Sequence, residues 1–314
     1  MPRTIMMFPG QGSQYYQMGR ELHAQDAAYR RAMDRCDAIC RDLGARAPSA
    51  VIAARPLADS EHFDDLAESN AALIAVGYAL AAALDARGVV ADRLLGYSLG
   101  ETIAAVVAGA LPLEDGFRLV LGQARIMAAH APPGAMLAVI GDPAALGRRP
   151  DLAPLYEVAG INVPTHRVLS VLARDVPAVM AGLEALSLTV ARLPIRYPFH
   201  AAAIEAAGPA LRDFVAGFRF APPRLPILSA ATCAPVTQYD AAHLWQVARA
   251  PTRFADLIRA LADEGPWALI EAGPSGTLAS FARLIGAPGI TAHRSIDQFG
   301  QNMRSMQQLS AVFA

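Results

Sequence analysis

The stretch Gly96-Tyr97-Ser98-Leu99-Gly100 decides how the chain is read. An extended apolar run, Val89 to Leu95, precedes it, and a helical run beginning at Glu101 follows. A serine in a G-x-S-x-G turn between a strand and a helix is a candidate nucleophile. The glycines let the backbone turn sharply without a Cβ clash, so the hydroxyl stands exposed at the C-terminal edge of a sheet. The helix behind the serine aims free amides and a positive dipole end at a developing oxyanion. The same five residues also occur as a glycine-lined turn with a solvent-facing serine. The flanking strand and helix favour the nucleophile.

Working outward, Met1 to Phe8 reads as a buried strand, clearest over Ile5 to Phe8, that runs into Pro9-Gly10-Gln11-Gly12. Helical periodicity covers 16–22, 27–43 and 66–87. The serine strand spans about 89–95, its helix about 99–109, and a further helix about 113–129 starts with Glu114 and Asp115. The breaker cluster Ala131-Pro132-Pro133-Gly134 changes the pattern. Strand-like runs then fall at 136–140, 156–161, 168–172 and 189–193, with helical stretches at 143–148 and 176–186. This β-α-β-β-α-β order predicts a ferredoxin-like subdomain over 131–196, inserted between segments 1–130 and 197–314 of a larger α/β domain. In the second segment a helix is predicted over 201–218, an extended run over 225–229, a helix over 251–263 and a strand over 267–271. A last helical segment follows Ala272-Gly273-Pro274-Ser275-Gly276.

Composition narrows the function. The 27 basic and 28 acidic residues nearly cancel, and no basic stripe suggests nucleic acid. Hydrophobic residues make up 54% of the 314, enough for a large, helix-rich core. Cys36, Cys40 and Cys233 make no disulfide framework. Cys36 and Cys40 lie four apart and are expected to pack as small apolar residues, and no metal site is expected. No signal peptide is read at the N-terminus, and the apolar stretch Ala71 to Leu84 is too short to span a bilayer. A cytoplasmic, monomeric protein without membrane or nucleic-acid partners is expected.

A serine needs a base to attack near neutral pH. Among seven histidines, His200 in Arg196-Tyr197-Pro198-Phe199-His200 sits where a strand gives way to a helix. It is the candidate base, or else a helix-terminal histidine without a catalytic role. His166 falls in a subdomain loop, and His23, His62, His130, His243 and His293 read as surface residues. A second oxyanion donor should come from another strand-end loop, and Pro9-Gly10-Gln11-Gly12-Ser13-Gln14 is a candidate. That loop also reads as a plain tight turn.

Together, Phe8-Pro9-Gly10-Gln11-Gly12-Ser13-Gln14, Gly96 to Glu101, His200 and Glu271-Ala272-Gly273-Pro274 resemble the malonyl-CoA:acyl-carrier-protein transacylase family. That family includes the acyltransferase domains of polyketide synthases. The resemblance runs from Met6 to about Ile285. It implies an α/β-hydrolase-like core with a mainly parallel sheet and a ferredoxin-like insert. It further implies Ser98 as nucleophile, His200 as base, and the Gln11 and Leu99 amides as oxyanion hole. No triad acid is implied. Instead a backbone carbonyl from 247–253, similar to the family's P-V-x-F region, would orient the imidazole. Asn162 matches a family asparagine near the acyl pocket. Tyr97, Phe199 and Gln123 complete the expected substrate-binding set.

Two departures matter. Tyr97 stands where the family usually has histidine. The segment from Arg118 to Met127 resembles R-L-V-x-x-R-G-x-x-M, which puts Gln123 in the place of the family arginine that binds the malonyl carboxylate. Charge-assisted hydrogen bonds contribute about 1.5–3 kcal/mol each, so malonyl preference should fall by about two or more orders of magnitude. Arg125, about 200° around the helix, points away. Arg196 is a weaker substitute.

Lacking that arginine, the chain resembles the stand-alone acyl hydrolases of polyketide assembly lines with separate acyltransferases. These remove stalled acyl groups from acyl carrier proteins, with the acyl group on the carrier's phosphopantetheine and no other cofactor. The alternative is a transferase that loads malonyl or another acyl unit from CoA onto a carrier protein. A non-catalytic carrier-binding scaffold would not need Ser98, His200 and the Gln11 loop together. A true α/β-hydrolase esterase would show an upstream His-Gly loop, and Asp142, Asp151 and Asp175 fall in the insert.

Overall fold

The computed structural model describes residues 3–313. Its strands are β1 (Thr4–Phe8), β2 (Arg93–Gly96), β3 (Gly134–Ile140), β4 (Tyr156–Val163), β5 (His166–Leu172), β6 (Thr189–Arg192), β7 (Ile227–Ser229), β8 (Ala234–Pro235), β9 (Trp267–Glu271) and β10 (Ile290–Arg294). Its helices are α1 (Arg20–Gln25), α2 (Ala27–Asp42), α3 (Pro48–Ile52), α4 (Leu66–Asp85), α5 (Gly100–Val107), α6 (Leu113–His130), α7 (Val176–Ala185), α8 (Gly208–Val215), α9 (Ala241–Arg249), α10 (Phe254–Asp263), α11 (Thr277–Ile285) and α12 (Asn302–Phe313).

The larger sheet runs β10-β9-β1-β2-β7-β8, parallel except for the β7–β8 pair. Its central strands are buried on both faces, as parallel sheets require. On one face Ile5, Met7, Leu95 and Leu269 pack against α10 and α11. On the other, Met6, Phe8 and Leu94 meet α4 and α5. The smaller sheet, β4-β5-β3-β6, is antiparallel, and α7 covers its inner face through Val176, Val179 and Leu183. That order is the ferredoxin-like one. The fold is therefore an α/β core bearing a ferredoxin-like subdomain, with every strand of the smaller sheet lying within 134–192.

Several predicted elements shift. Met1 and Pro2 lie outside the described residues, and the strand begins at Thr4. The serine strand is shorter than 89–95: Val89 still bonds back to the end of α4, and pairing with β1 starts at Arg93. The helix predicted over 16–22 forms instead as α1, after left-handed Gly19. Residues 143–148 make a 3₁₀ turn. The helix predicted over 201–218 is a 3₁₀ turn at 202–207 followed by α8. Residues 251–253 stay extended because Thr252 pairs with β4 and Arg253 bonds Ala230. Sequence reading missed α9, β10 and α12. Finally, α4 is longer than its apolar stretch and has the length and composition to cross a membrane. In the fold it is a central core helix, with 78% of its apolar window buried.

Candidate active site

The predicted nucleophile sits between β2 and α5. Ser98 has φ of +54°, in the left-handed region that favours glycine. The turn is held tightly because Gly100 passes against β1: a Cβ there would lie 1.9 Å from the Phe8 carbonyl oxygen. His200 adopts the same unusual region, at φ of +60°. Such conformations cost on the order of 1–3 kcal/mol each and persist where surrounding structure imposes them.

The two residues meet: Ser98 Oγ lies 3.0 Å from His200 Nε2. On the far side of the ring, Nδ1–H donates to the Ala250 carbonyl at 2.7 Å. That bond fixes the tautomer and leaves the Nε2 lone pair facing the serine hydroxyl. The His200 amide donates to the Ala248 carbonyl at 3.0 Å. The C-terminal end of α9 thus stands where a triad acid would, and its negative dipole end favours an imidazolium formed during reaction. The orienting carbonyl lies inside the predicted 247–253 segment. Burial lowers the His200 pKa to about 4, against the opposing pull of the Ala250 bond. The free imidazole is therefore neutral and competent as a base at neutral pH.

Gln11 and Leu99 flank Ser98 on the wall of one cavity. Among the described residues neither backbone amide has an intramolecular acceptor, so both can serve a developing oxyanion. The Gln11 side chain is tied back by donating from Nε2 to Asn70 Oδ1 at 2.5 Å. Asn70 lies in α4 and was not singled out in the sequence, where it merges into an apolar helix.

Two spaces lead from the serine. One, of about 40 Å³, runs between α6, α8 and α9, and Phe199, Leu119, Leu211, Val215, Leu244 and Gln123 line it. Among the described residues no arginine or lysine lines it. Arg125 lies in a separate groove with Asp115 and Phe218, on the other face of α6. Arg196 pairs with Asp64 at 2.5 Å, and its side chain is 62% exposed. Neither replaces the cation. The other space passes Phe199 and Met136 and shares the Gln11, Tyr97, Val168 and Leu193 walls of a cavity of about 200 Å³ between the larger and smaller sheets. Tyr97, Asn162, His166 and Phe281 line it.

Tyr97 organises that second route. Its hydroxyl accepts from Thr252 Oγ1 at 2.8 Å and donates to Asn162 Oδ1 at 2.8 Å. Asn162 Nδ2 then faces His166 Nδ1 at 3.3 Å. Burial lowers the His166 pKa, so the ring is a neutral acceptor. His166 therefore opens β5 and lines a cavity, where the sequence placed it in a loop. His243, read as a surface residue, is mostly buried against Glu101. Among the described residues no cluster of three or more histidine, cysteine or acidic side chains converges as a metal site. Cys36 and Cys40 are buried, and burial raises both thiol pKa values.

Comparison with known proteins gives the family. Residues 5–285 match the acyl transferase domain family. BaeD of Bacillus velezensis, a polyketide biosynthesis acyltransferase homolog, is 38% identical over 90% of this chain and 87% of its own length. ThaF of Burkholderia thailandensis, a polyketide biosynthesis protein, is 36% identical over 98% of this chain, which spans 27% of that longer protein. A loading acyltransferase from the avermectin modular polyketide synthase superposes with a TM-score of 0.88 at 26% identity, over 98% of this chain and 99% of its own. The chain belongs to the acyl transferase domain family, and these relatives are proteins of polyketide assembly.

Proposed function

We propose that the protein is an acyl hydrolase that clears acyl groups from the phosphopantetheine arm of acyl carrier proteins during polyketide biosynthesis. The observation that carries this reading is the neutral cavity beside Ser98, lined by Gln123 and, among the described residues, by no cation. A carboxylated acyl group would be desolvated there without a counter-charge, which is costly. Its volume of about 40 Å³ suits a short neutral acyl group. The wider cavity between the sheets suits the thioester arm.

The chemistry is two half-reactions. Ser98 Oγ attacks the thioester carbonyl while its proton passes to His200 Nε2. The Gln11 and Leu99 amides hold the oxyanion. Collapse breaks the C–S bond, and the imidazolium returns the proton to the leaving thiolate. Water then gives its proton to His200 and attacks the seryl ester. Collapse of that second intermediate restores Ser98 and releases the carboxylic acid.

The test is intact-protein mass spectrometry of carrier protein charged with acetyl, butyryl or malonyl groups and treated with catalytic enzyme. Loss of acetyl and butyryl with malonyl spared is the expected result. Stable acyl-carrier, together with loading from acyl-CoA, would make the protein a transferase.

A further inference from the structure

Beyond the reacting residues, one buried hydrogen-bonded pair has no part in the chemistry. Glu101, in the first turn of α5, is completely buried. One carboxylate oxygen accepts from Ser229 Oγ, and the other accepts from His243 Nε2 at 2.8 Å. Burial raises the Glu101 pKa, and the His243 and Ser229 hydrogen bonds pull it back. His243 is itself mostly buried, at 12% side-chain exposure, and the ring of Tyr239 packs edge-on against it. The local backbone makes room for the carboxylate. A Cβ on Gly96 would fall 2.4 Å from Glu101 Cγ, so only glycine lets the side chain cross the end of β2.

What this contact joins is informative. Glu101 lies three residues beyond the nucleophile, and its amide bonds the Ser98 carbonyl at 2.9 Å. His243 lies in the first turn of α9. The far end of α9 holds His200 through the Ala248 and Ala250 carbonyls. Between those ends, Leu244, Val247 and Ala248 form one wall of the cavity beside Ser98. The path from Ser98 through Glu101, His243 and α9 to His200 therefore closes on Ser98 itself.

We propose that His243 is a positioning residue: its bond to Glu101 sets α9 against α5, and so sets both the base and the cavity wall relative to the nucleophile. A buried carboxylate is tolerated because it has two partners. Losing one leaves an unpaired acceptor and frees the helix to shift. A displacement near 1 Å at a reacting group costs up to about a hundredfold in rate.

The inference rests on Ser98 being acylated, not on whether water or a thiol takes the acyl group. The readout is accordingly single-turnover acylation of Ser98 by acyl-pantetheine thioesters, followed by intact mass, with thermal melting alongside. Ser98→Ala is the control: if the wild type gains no mass that this variant lacks, the nucleophile assignment fails and not the positioning role. His243→Leu should slow acylation by tenfold or more. It should also change the ratio of acetyl to butyryl rates, since the wall carrying Leu244 moves. His243→Gln, which keeps a donor, should restore most of the rate and the wild-type ratio. Glu101→Met, which keeps the side-chain length but offers His243 no acceptor oxygen, covers the case in which His243→Leu does not fold, and should slow acylation and shift the same ratio. Wild-type acylation rates and chain-length ratio in a folded His243→Leu or Glu101→Met variant, with only the melting temperature lowered, would overturn the proposal.

Discussion

In the proposed function Gln123 sets the substrate choice, and one substitution tests it. It lines the cavity with Ser98 and Phe199, where among the described residues there is no cation. Gln123→Arg places a guanidinium there, and a bidentate carboxylate pair contributes about 1.5–3 kcal/mol per charge-assisted bond. Malonyl loading onto Ser98 should rise by at least about tenfold, and acetyl loading should fall. Unchanged malonyl loading would show that shape, not charge, excludes the carboxylate. Tyr97 acts on the other side of the serine. Tyr97→Phe removes the hydroxyl bonded to both Thr252 and Asn162, and Asn162 is 2% exposed. An acceptor left buried and unpaired costs about 1–3 kcal/mol. The KM for carrier-bound thioester should therefore rise, while p-nitrophenyl acetate, which has no long arm, is hydrolysed at a kcat within about threefold of wild type. Equal losses on both substrates would place Tyr97 in the chemistry and not in arm binding.

At the scale of elements, the β2–α5 turn shows how close packing fixes the site. Gly100→Ala would bring a methyl group to 1.9 Å from the Phe8 carbonyl oxygen, which is backbone and cannot yield. The variant should lose more than about 2 kcal/mol in urea unfolding. Wild-type stability would mean that α5 can slide along β1. This turn was legible in the sequence because glycine spacing, an apolar strand and helix periodicity coincide within a dozen residues. The same holds for the order of strands in the smaller sheet, where Pro132 and Pro133 mark the change of pattern. Contacts between distant segments were not legible. Nothing local in Asp240 to Arg249 announces that His243 meets Glu101, 142 residues away, and only the family resemblance, not any local pattern, placed the carbonyl that orients His200 within 247–253. Thr252 likewise gives no sign that its hydroxyl reaches Tyr97. Motifs reveal groups that act through local geometry. The partners that orient those groups come from tertiary packing and carry no fixed spacing.

For the whole molecule, two fully buried groups tie stability to pH in opposite senses. His200 has its pKa lowered from 6.5 to about 4 by burial. Between those values the unfolded chain binds more protons than the folded one, so stability rises with pH. Glu271, at the end of β9, has its pKa raised from 4.5 to about 7, chiefly by burial. Its Oε2 accepts from the Ala279 amide at the start of α11, while Oε1 is buried and has no partner among the described residues. Between pH 4.5 and 7 the folded form binds more protons, so this group makes stability fall as pH rises. Each slope approaches about 1.4 kcal/mol per pH unit at its steepest, so across pH 4.5–6.5 the two offset one another. Removing either should expose the other. In Glu271→Gln the urea midpoint, relative to wild type, should climb with pH from 4.5 to 6.5, because the falling Glu271 contribution is gone and the His200 contribution is left unopposed. In His200→Asn the difference from wild type should run the other way over the same window. A Glu271→Gln difference that stays constant with pH would mean that the carboxylate is ionised throughout, held so by the amides of α11. The base and the cap of α11 would then not balance, and acid would act on the fold through His200 unopposed.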